Sequence, residues 1–366
     1  MNKRKFVICL GATGGHIFPG IAIADAIKQS LPDSEILFIN TLKSNKMLPK
    51  LNFNYEITRI NIYGFVGKSI LKKVKSFLSL FICIIKTLLI LIKFKPEAVI
   101  GSGGFVWLPV GISSFILNKK IYSIEGNSIP GLSNKIISKL SNKIFINFES
   151  SLNHFNKSKC FNLGYPIRQV EKKRKVKKDI DILIIGGSQG SEMLNTKFLD
   201  QLENLLNQVT KGGINEFTII HQTGIKDFQK IKELAFKYES KFDFLKYSVE
   251  IFINEISDFY CRTKLLISRA GASTLSETKN FDLVNIVVPI KNSTNNHQYK
   301  NAIEMYENGL VEIWQEDDQT LILTNKIFNL LSNKVEATKI LNKKRNQRND
   351  YSAENIVKEI LKDEQK

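Results

Sequence analysis

The chain has 366 residues, enough for two ordinary domains with a sizeable core in each, and its 43% hydrophobic and 24% charged residues are the balance of a soluble globular protein rather than a disordered one. Lys and Arg number 53 against 35 Asp and Glu, and the net charge of +18 favours anionic partners: nucleic acid, anionic lipid or phosphorylated substrates. Cys9, Cys83, Cys160 and Cys261 lie far apart with no C-x-x-C pair, and His16, His154, His221 and His297 have no metal-ligand spacing, which argues against a disulfide framework and a zinc site.

Arg4–Leu10 (RKFVICL) reads as a buried strand. It runs into the turn Gly11-Ala12-Thr13-Gly14-Gly15-His16 and then a helix over Pro19–Gln29. The basic start Met1–Lys5 looks like the first part of a secretion signal, but Gly11–His16 interrupts the apolar run at once, so a strand and turn are expected there. His16 closes the turn at a helix start, either as a structural histidine or, at the end of an open αβ sheet where ligands are presented, as a catalytic one. The next segment, Arg59–Lys95, holds Arg59, Lys68, Lys72, Lys73, Lys75, Lys86, Lys93 and Lys95 and neither Asp nor Glu. Within it Phe77–Ile92 (FLSLFICIIKTLLILI) is broken only by Ser79, Lys86 and Thr87. That run is short and charged against the ~20 apolar residues of a bilayer span. It reads as a buried helix of an αβ domain, or as a helix partly seated in a membrane face with its lysines near lipid head groups. Pro96–Ile100 is a short strand, Gly101-Ser102-Gly103-Gly104 a further glycine turn, Pro109–Leu117 a helix, and Lys120–Ile124 and Ile144–Asn147 strands.

Glu171–Asp179 (EKKRKVKKD) reads as a solvated linker, with a nucleic-acid patch as the alternative. Directly after it the opening pattern returns: strand Ile180–Ile185, turn Gly186-Gly187-Ser188-Gln189-Gly190, helix Ser191–Leu206. Small residues in such a turn let backbone N–H groups approach a phosphate, and the following helix adds partial positive charge. Strands Phe217–His221, Leu265–Ser268 and Asn285–Val288 follow, and Leu341–Lys366 has the pattern of a polar terminal helix. The alternation of strand and helix predicts parallel sheets, and the repeated opening predicts two nucleotide-binding αβ domains. Thr274-x-x-Glu277 has the spacing of a helix capping box, which by itself accounts for Glu277 and is the favoured reading of the segment; the rival is a carboxylate that accepts both hydroxyls of a ribose. The amide-rich stretch Pro289–Ala302, with Asn292, Asn295, Asn296, Gln298 and Asn301, is a polar loop or a sugar-reading one.

Taken together these motifs resemble the MurG family of glycosyltransferases. In the first half the matching residues are Thr13-Gly14-Gly15-His16-x-x-Pro19-Gly20, Gly101-x-Gly103-Gly104, Glu125-x-Asn127, Gly131-Leu132-Ser133-Asn134-Lys135 and Gly164-x-Pro166-x-Arg168. In the second half they are Gly186–Gly190, His221-Gln222-x-Gly224, Arg269-x-Gly271-Ala272-x-Thr274-x-Ser276-Glu277 and Asn296-His297-Gln298-x-x-Asn301-Ala302. They stand in family order from Phe6 to about Gly309.

The resemblance implies a GT-B fold, α/β with two Rossmann-like domains, parallel sheets and an interdomain cleft. The domains would span residues 1–164, with a C-terminal helix at about 345–366 packing back on them, and 165–344. It implies inverting, metal-independent and cofactor-free transfer of GlcNAc from UDP-GlcNAc to lipid I, forming lipid II for peptidoglycan. The enzyme would be peripheral, on the cytoplasmic face of the cell membrane. UDP-GlcNAc would be held by Thr13, Gly14, Gly15, Asn127, Arg168, Ser188, Gln189, Gly190, Glu277 and Gln298. Gly14, Gly15, Gly103 and Gly104 would meet the acceptor diphosphate, and His16, with Glu125 as runner-up, would accept the hydroxyl proton. The partners implied are the two substrates, an anionic membrane surface meeting Arg59–Lys95 and cell-wall synthesis proteins, but no nucleic acid. Roles in cell shape and cell division come with that expectation. The chain departs from the family pattern at Tyr165, Gly126, Phe65-Val66 and Trp107. A glycolipid-forming transferase, a UDP-GlcNAc 2-epimerase and a basic adaptor protein are the competing readings.

Overall fold

A strand inside a parallel sheet is covered on both faces, so it reads as a continuous apolar run whose alternate residues serve different cores. The first strand does this: Phe6 and Ile8 enter one apolar cluster, Val7 and Cys9 another. The computed structural model describes residues 3–41, 55–62, 70–167, 176–187 and 190–364, without the side chains of 70–77, 294 and 364. It divides into two units, Met1–Gln169 with Asn349–Lys366, and Val170–Arg348.

In chain order the first unit has β1 (Lys5–Cys9), α1 (Gly14–Ser30), β2 (Glu35–Thr41), β3 (Glu56–Ile60), α2 (Ile70–Phe94) and β4 (Ala98–Gly101). It continues with α3 (Trp107–Ile116), β5 (Lys120–Glu125), α4 (Leu132–Ile137), β6 (Lys143–Ile146) and β7 (Cys160–Asn162). These seven strands form one sheet in the order β3-β2-β1-β4-β5-β6-β7. Every neighbouring pair is parallel.

The second unit has β8 (Ile180–Ile185), α5 (Glu192–Lys211), β9 (Phe217–Gln222), α6 (Phe228–Lys241), β10 (Leu245–Glu250), α7 (Ile256–Arg262) and β11 (Thr263–Ser268). Then come α8 (Ala272–Lys279), β12 (Val284–Val287), α9 (His297–Glu307), β13 (Glu312–Ile313), α10 (Thr320–Ser332) and α11 (Lys334–Asn346). Its sheet is six-stranded, in the order β10-β9-β8-β11-β12-β13, and also parallel. Ile182 and Ile184 of β8 face one core, Leu183 and Ile185 the other, repeating the arrangement around β1.

Both sheets run third, second, first, fourth, fifth, sixth. The chain therefore reverses its direction of winding between β1 and β4 in one unit and between β8 and β11 in the other. In open αβ sheets the loops at the carboxyl ends of strands on either side of such a reversal are the usual ligand position. The glycine turns after β1, β4 and β8 all lie at such points.

The expected terminal helix over Leu341–Lys366 is two helices. α11 ends at Asn346, and α12 (Ser352–Glu364) starts after a short break. The halves serve different units. Ile340 of α11 joins the core around β8, whereas Ala353, Ile356, Val357 and Ile360 of α12 join Ile17, Ile21 and Ala24 of α1 in the core beside β1. Tyr122 on β5 donates to the Asp363 carboxylate at 3.0 Å, and Lys143 on β6 donates to the Glu359 carbonyl at 2.9 Å.

Candidate functional site

At the switch point of the first unit the two glycine turns close on His16. Thr13 is the N-cap of α1, extended at φ −117° and ψ 159°, and its carbonyl takes the His16 and Ile17 amides at 2.9 and 3.0 Å. The Thr13 hydroxyl does not cap the helix, and no acidic residue lies in its first turn. The imidazole lies against Gly11, where a Cβ would come within 2.6 Å of its Cδ2. Opposite it are Gly103 and Gly104, whose φ of +97° and +79° turn the chain after β4 in a way residues with a Cβ rarely adopt. A Cβ at Gly103 would stand 3.3 Å from both His16 Cε1 and Asn134 Nδ2. Ser102 Oγ donates to the His16 carbonyl at 2.9 Å, joining the two turns directly.

Glu125 ends β5 and is fully buried at 3% exposure. Its Oε1 accepts from the Asn127 amide at 2.8 Å and from Asn127 Nδ2 at 3.1 Å. Its Oε2 accepts from Asn134 Nδ2 at 2.9 Å and from the Gly131 amide at 3.2 Å. Burial pushes this carboxyl up, and the four N–H donors pull it back toward the ionised form. With both oxygens engaged by its own loop, the group is an anchor for residues 126–134.

At the switch point of the second unit the turn after β8 is held from three directions. Gly190 (φ +78°) must be glycine, because a Cβ there would sit 2.0 Å from the Thr223 carbonyl oxygen. Gln222 Nε2 donates to the Gly187 carbonyl at 2.9 Å while its Oε1 accepts from the Ile253 amide. Arg269, just past β11, donates from Nε and Nη2 to Ser191 Oγ at 3.0 and 2.6 Å, and Ser191 is the N-cap of α5. The remaining arm of Arg269 pairs with Glu316 at 2.6 Å.

Behind the turn lies a polar chain that the sequence did not disclose. Asn195 Nδ2 donates to the Thr223 carbonyl and to Asp227, so Asn195 Oδ1 faces His221 Nε2 as acceptor at 2.9 Å. Nε2 therefore carries the proton, and Nδ1 accepts from the Tyr247 hydroxyl at 2.9 Å. Burial lowers the His221 pKa to about 3, so this imidazole is neutral and structural.

The capping-box reading of Thr274 and Glu277 is overturned. Helix α8 begins at Ala272 with Gly271 at its N-cap, so Thr274 is already inside the helix and Glu277 lies beyond its first turn. The half-buried Glu277 carboxyl instead hydrogen-bonds the Tyr260 hydroxyl, and desolvation raises its pKa to about 7 against that bond. Gln298, in the first turn of α9, accepts the Ile290 amide on Oε1 at 3.1 Å, which leaves Nε2 as the atom suited to a ligand acceptor. Asn295 and Asn296 precede that helix at φ 53° and 56°. Asn301 is buried and donates to the Ala270 carbonyl at 3.3 Å, so it ties α9 to the loop before α8. Arg168, Ser188 and Gln189 lie outside the described residues, as do Phe65, Val66 and most of the basic stretch 171–179.

On the first unit α2 is apolar on both sides. Cys83, Thr87 and Leu91 are buried, and Leu78, Phe81, Ile82, Ile85, Leu89 and Ile92 form a second stripe at helical spacing that is 45–63% exposed. Phe115 and Ile116 at the end of α3 are exposed as well, and Ser113 Oγ ties α3 to the Ile84 carbonyl of α2. Lys86, Lys93 and Lys95 are exposed on or just after α2. Among the described residues no helix is long and apolar enough to cross a membrane.

Each unit matches one domain of a single glycosyltransferase family. Residues 6–146 match the glycosyltransferase family 28 N-terminal domain and residues 181–360 its C-terminal domain. The UDP-N-acetylglucosamine–N-acetylmuramyl-(pentapeptide) pyrophosphoryl-undecaprenol N-acetylglucosamine transferase of Thermodesulfovibrio yellowstonii is 33% identical over 92% of each chain. The enzyme of that name from Wigglesworthia glossinidia brevipalpis is 34% identical over 98% of this chain and 97% of its own. The chain belongs to the MurG family. Acinetobacter baumannii MurG has the same GT-B fold, with a TM-score of 0.74 and 24% identity over 99% of this chain and all of that one. The fold is shared more widely. A UDP-GlcNAc 2-epimerase from Neisseria meningitidis aligns at a TM-score of 0.69 and 13% identity over 98% of this chain and 100% of its own.

Proposed function

We propose that this chain transfers GlcNAc from UDP-GlcNAc to lipid I with inversion, giving the β-1,4-linked lipid II of peptidoglycan synthesis. The observation that carries the mechanism is the His16 imidazole held between two glycine turns at the switch point of the first unit. An imidazole ordinarily titrates near neutral pH, so it accepts the acceptor hydroxyl's proton as that oxygen attacks the anomeric carbon. Glu125 fits the base role less well, since its oxygens already accept four N–H groups. It holds the loop that carries Asn127 and Asn134. The uncapped start of α1, with Gly14 and Gly15 in its first turn, suits the acceptor diphosphate, with Gly103 and Gly104 opposite.

The donor belongs to the second unit. The described ends of the Gly186–Gly190 turn, backed by Arg269 through Ser191, suit a diphosphate, and it is the MurG resemblance that assigns Arg168, Ser188 and Gln189 to UDP-GlcNAc as well. Glu277 takes the ribose hydroxyls and Gln298 the sugar. As the glycosidic bond breaks, charge grows on the departing UDP, and prearranged amides and helix N-termini stabilise it.

The exposed stripe of α2 with Lys86 and Lys93 suits a peripheral seat on an anionic membrane, where a lipid-borne acceptor keeps its tail. We place that seat on the cytoplasmic face, where the protein works beside other cell-wall synthesis enzymes in cell growth and division. Radiolabelled UDP-GlcNAc with a short-chain lipid I analogue tests the activity. Label should appear in a disaccharide lipid with release of UDP. Conversion of UDP-GlcNAc that proceeds equally without acceptor would reject the transferase reading in favour of an epimerase.

A further inference from the structure

Helix α1 contains Pro19, which has no N–H to give the carbonyl four residues before it. That carbonyl is Gly15, and the Tyr165 hydroxyl donates to it across 150 residues of sequence. The Gly15 carbonyl and the His16 amide belong to one planar peptide group, so a bond to the first fixes the plane of the second. The peptide group on the other side of His16 is held by Ser102 Oγ.

Tyr165 is itself tightly placed. It is 4% exposed, and its ring packs over Gly126, where a Cβ would come within 2.6 Å of Cε2 and Cζ. Gly126 follows Glu125 and precedes Asn127, so the ring rests on the anchored loop. Its backbone is pinned where the chain leaves and re-enters the first unit: Ser352 Oγ donates to the Tyr165 carbonyl at 2.9 Å and Asn349 Nδ2 to the Leu163 carbonyl at 2.6 Å. Burial, with the negative Glu125 nearby, pushes the phenol well up, so its hydroxyl keeps its proton.

We propose that Tyr165 is a positioning residue for the His16 turn, its hydroxyl supplying the hydrogen bond that Pro19 withholds from Gly15 and its ring seated over Gly126. The proposal rests on the reading of His16 as the group that meets the acceptor hydroxyl.

A double-mutant cycle tests it, with turnover measured on UDP-GlcNAc and the short-chain lipid I analogue, and thermal melting checking each fold. Tyr165→Phe should lower kcat about tenfold, the scale of a small misplacement of a reacting group, and leave the KM for UDP-GlcNAc unchanged. In a His16→Ala background the same change should cost less than about twofold, because the residue it positions is gone. Gly126→Ala crowds the ring while keeping the hydroxyl and should reproduce the kcat loss if Tyr165→Phe folds poorly. An equal loss in both backgrounds would overturn the proposal, since Tyr165 would then act on something other than His16. Wild-type kcat in either Tyr165→Phe or Gly126→Ala, beside an inactive His16→Ala, would overturn the proposal alone. Wild-type turnover in His16→Ala would remove the reading of His16 and the proposal with it.

Discussion

His16 is enclosed by three glycines and held through its own carbonyl, so its ring has few places to go. Replacing it with Ala should cut turnover by about 100-fold or more, the range of a lost general base, and a loss under about threefold in a steady-state assay would reject that role. Glu277 carries a pH signature. Its pKa of about 7 means that the free folded protein keeps a proton which the unfolded chain releases at its ordinary, lower pKa. The stability this group contributes is therefore lost as pH rises through about 7. If Glu277 holds the ribose as proposed, its ionised form is the acceptor of the two hydroxyls, so UDP-GlcNAc affinity should climb about tenfold between pH 6 and 8. Calorimetric titration of Glu277→Gln should give weaker, pH-independent binding. A flat profile in the unaltered protein would sink the ribose contact. The glycine turns were legible because they answer to backbone geometry, which is written locally. The Glu125 anchor, the Tyr165 bond to Gly15 and the Arg269 grip on Ser191 were not, because each joins residues that only the fold brings together.

Among the elements, α2 carries the clearest surface consequence. Its outer stripe offers six large apolar side chains about half exposed, and burial in an interface would release roughly 25 cal/mol per Å2 of apolar surface. Ile85→Glu with Leu89→Glu should therefore weaken sedimentation with anionic vesicles several-fold while leaving UDP-GlcNAc binding intact, and the unaltered protein should bind less as salt rises. Binding that ignores both changes would place the membrane contact elsewhere. The strand pattern shows where sequence reading stops. Strands with both faces buried, such as β1, β8 and β11, declare themselves as apolar runs. The edge strands β3, β7, β10 and β13 do not, because they are short or carry polar residues on open faces, as in EITRI and LKYSVE. β2 (EILFINT) has the same apolar signal as β1 and fell outside the predicted elements for no physical reason. The segment Thr274–Glu277 misled in the other direction, since its spelling fits a cap while the helix starts earlier at Ala272.

At the scale of the whole molecule, one architecture is used twice, with the same strand order and a glycine turn after each first strand. The two copies are not built alike, because the first borrows α12 from the far end of the chain. Ile356 is fully buried in the core beside α1, so Ile356→Ala should destabilise the first unit by about 2–5 kcal/mol. Hydrogen exchange should register that loss in α1 and β1 while protection in β8 and β9 stays unchanged. Equal loss in both would show that the units unfold together. The borrowed helix also bears on how the protein is made. Synthesis runs from the amino end, and many chains complete each domain as it emerges from the ribosome. Here the amino-terminal unit waits for residues translated after the whole of Val170–Arg348, so the second unit can finish first. Until then the apolar face of α1 is uncovered, a window in which a nascent chain is exposed to aggregation and to chaperones.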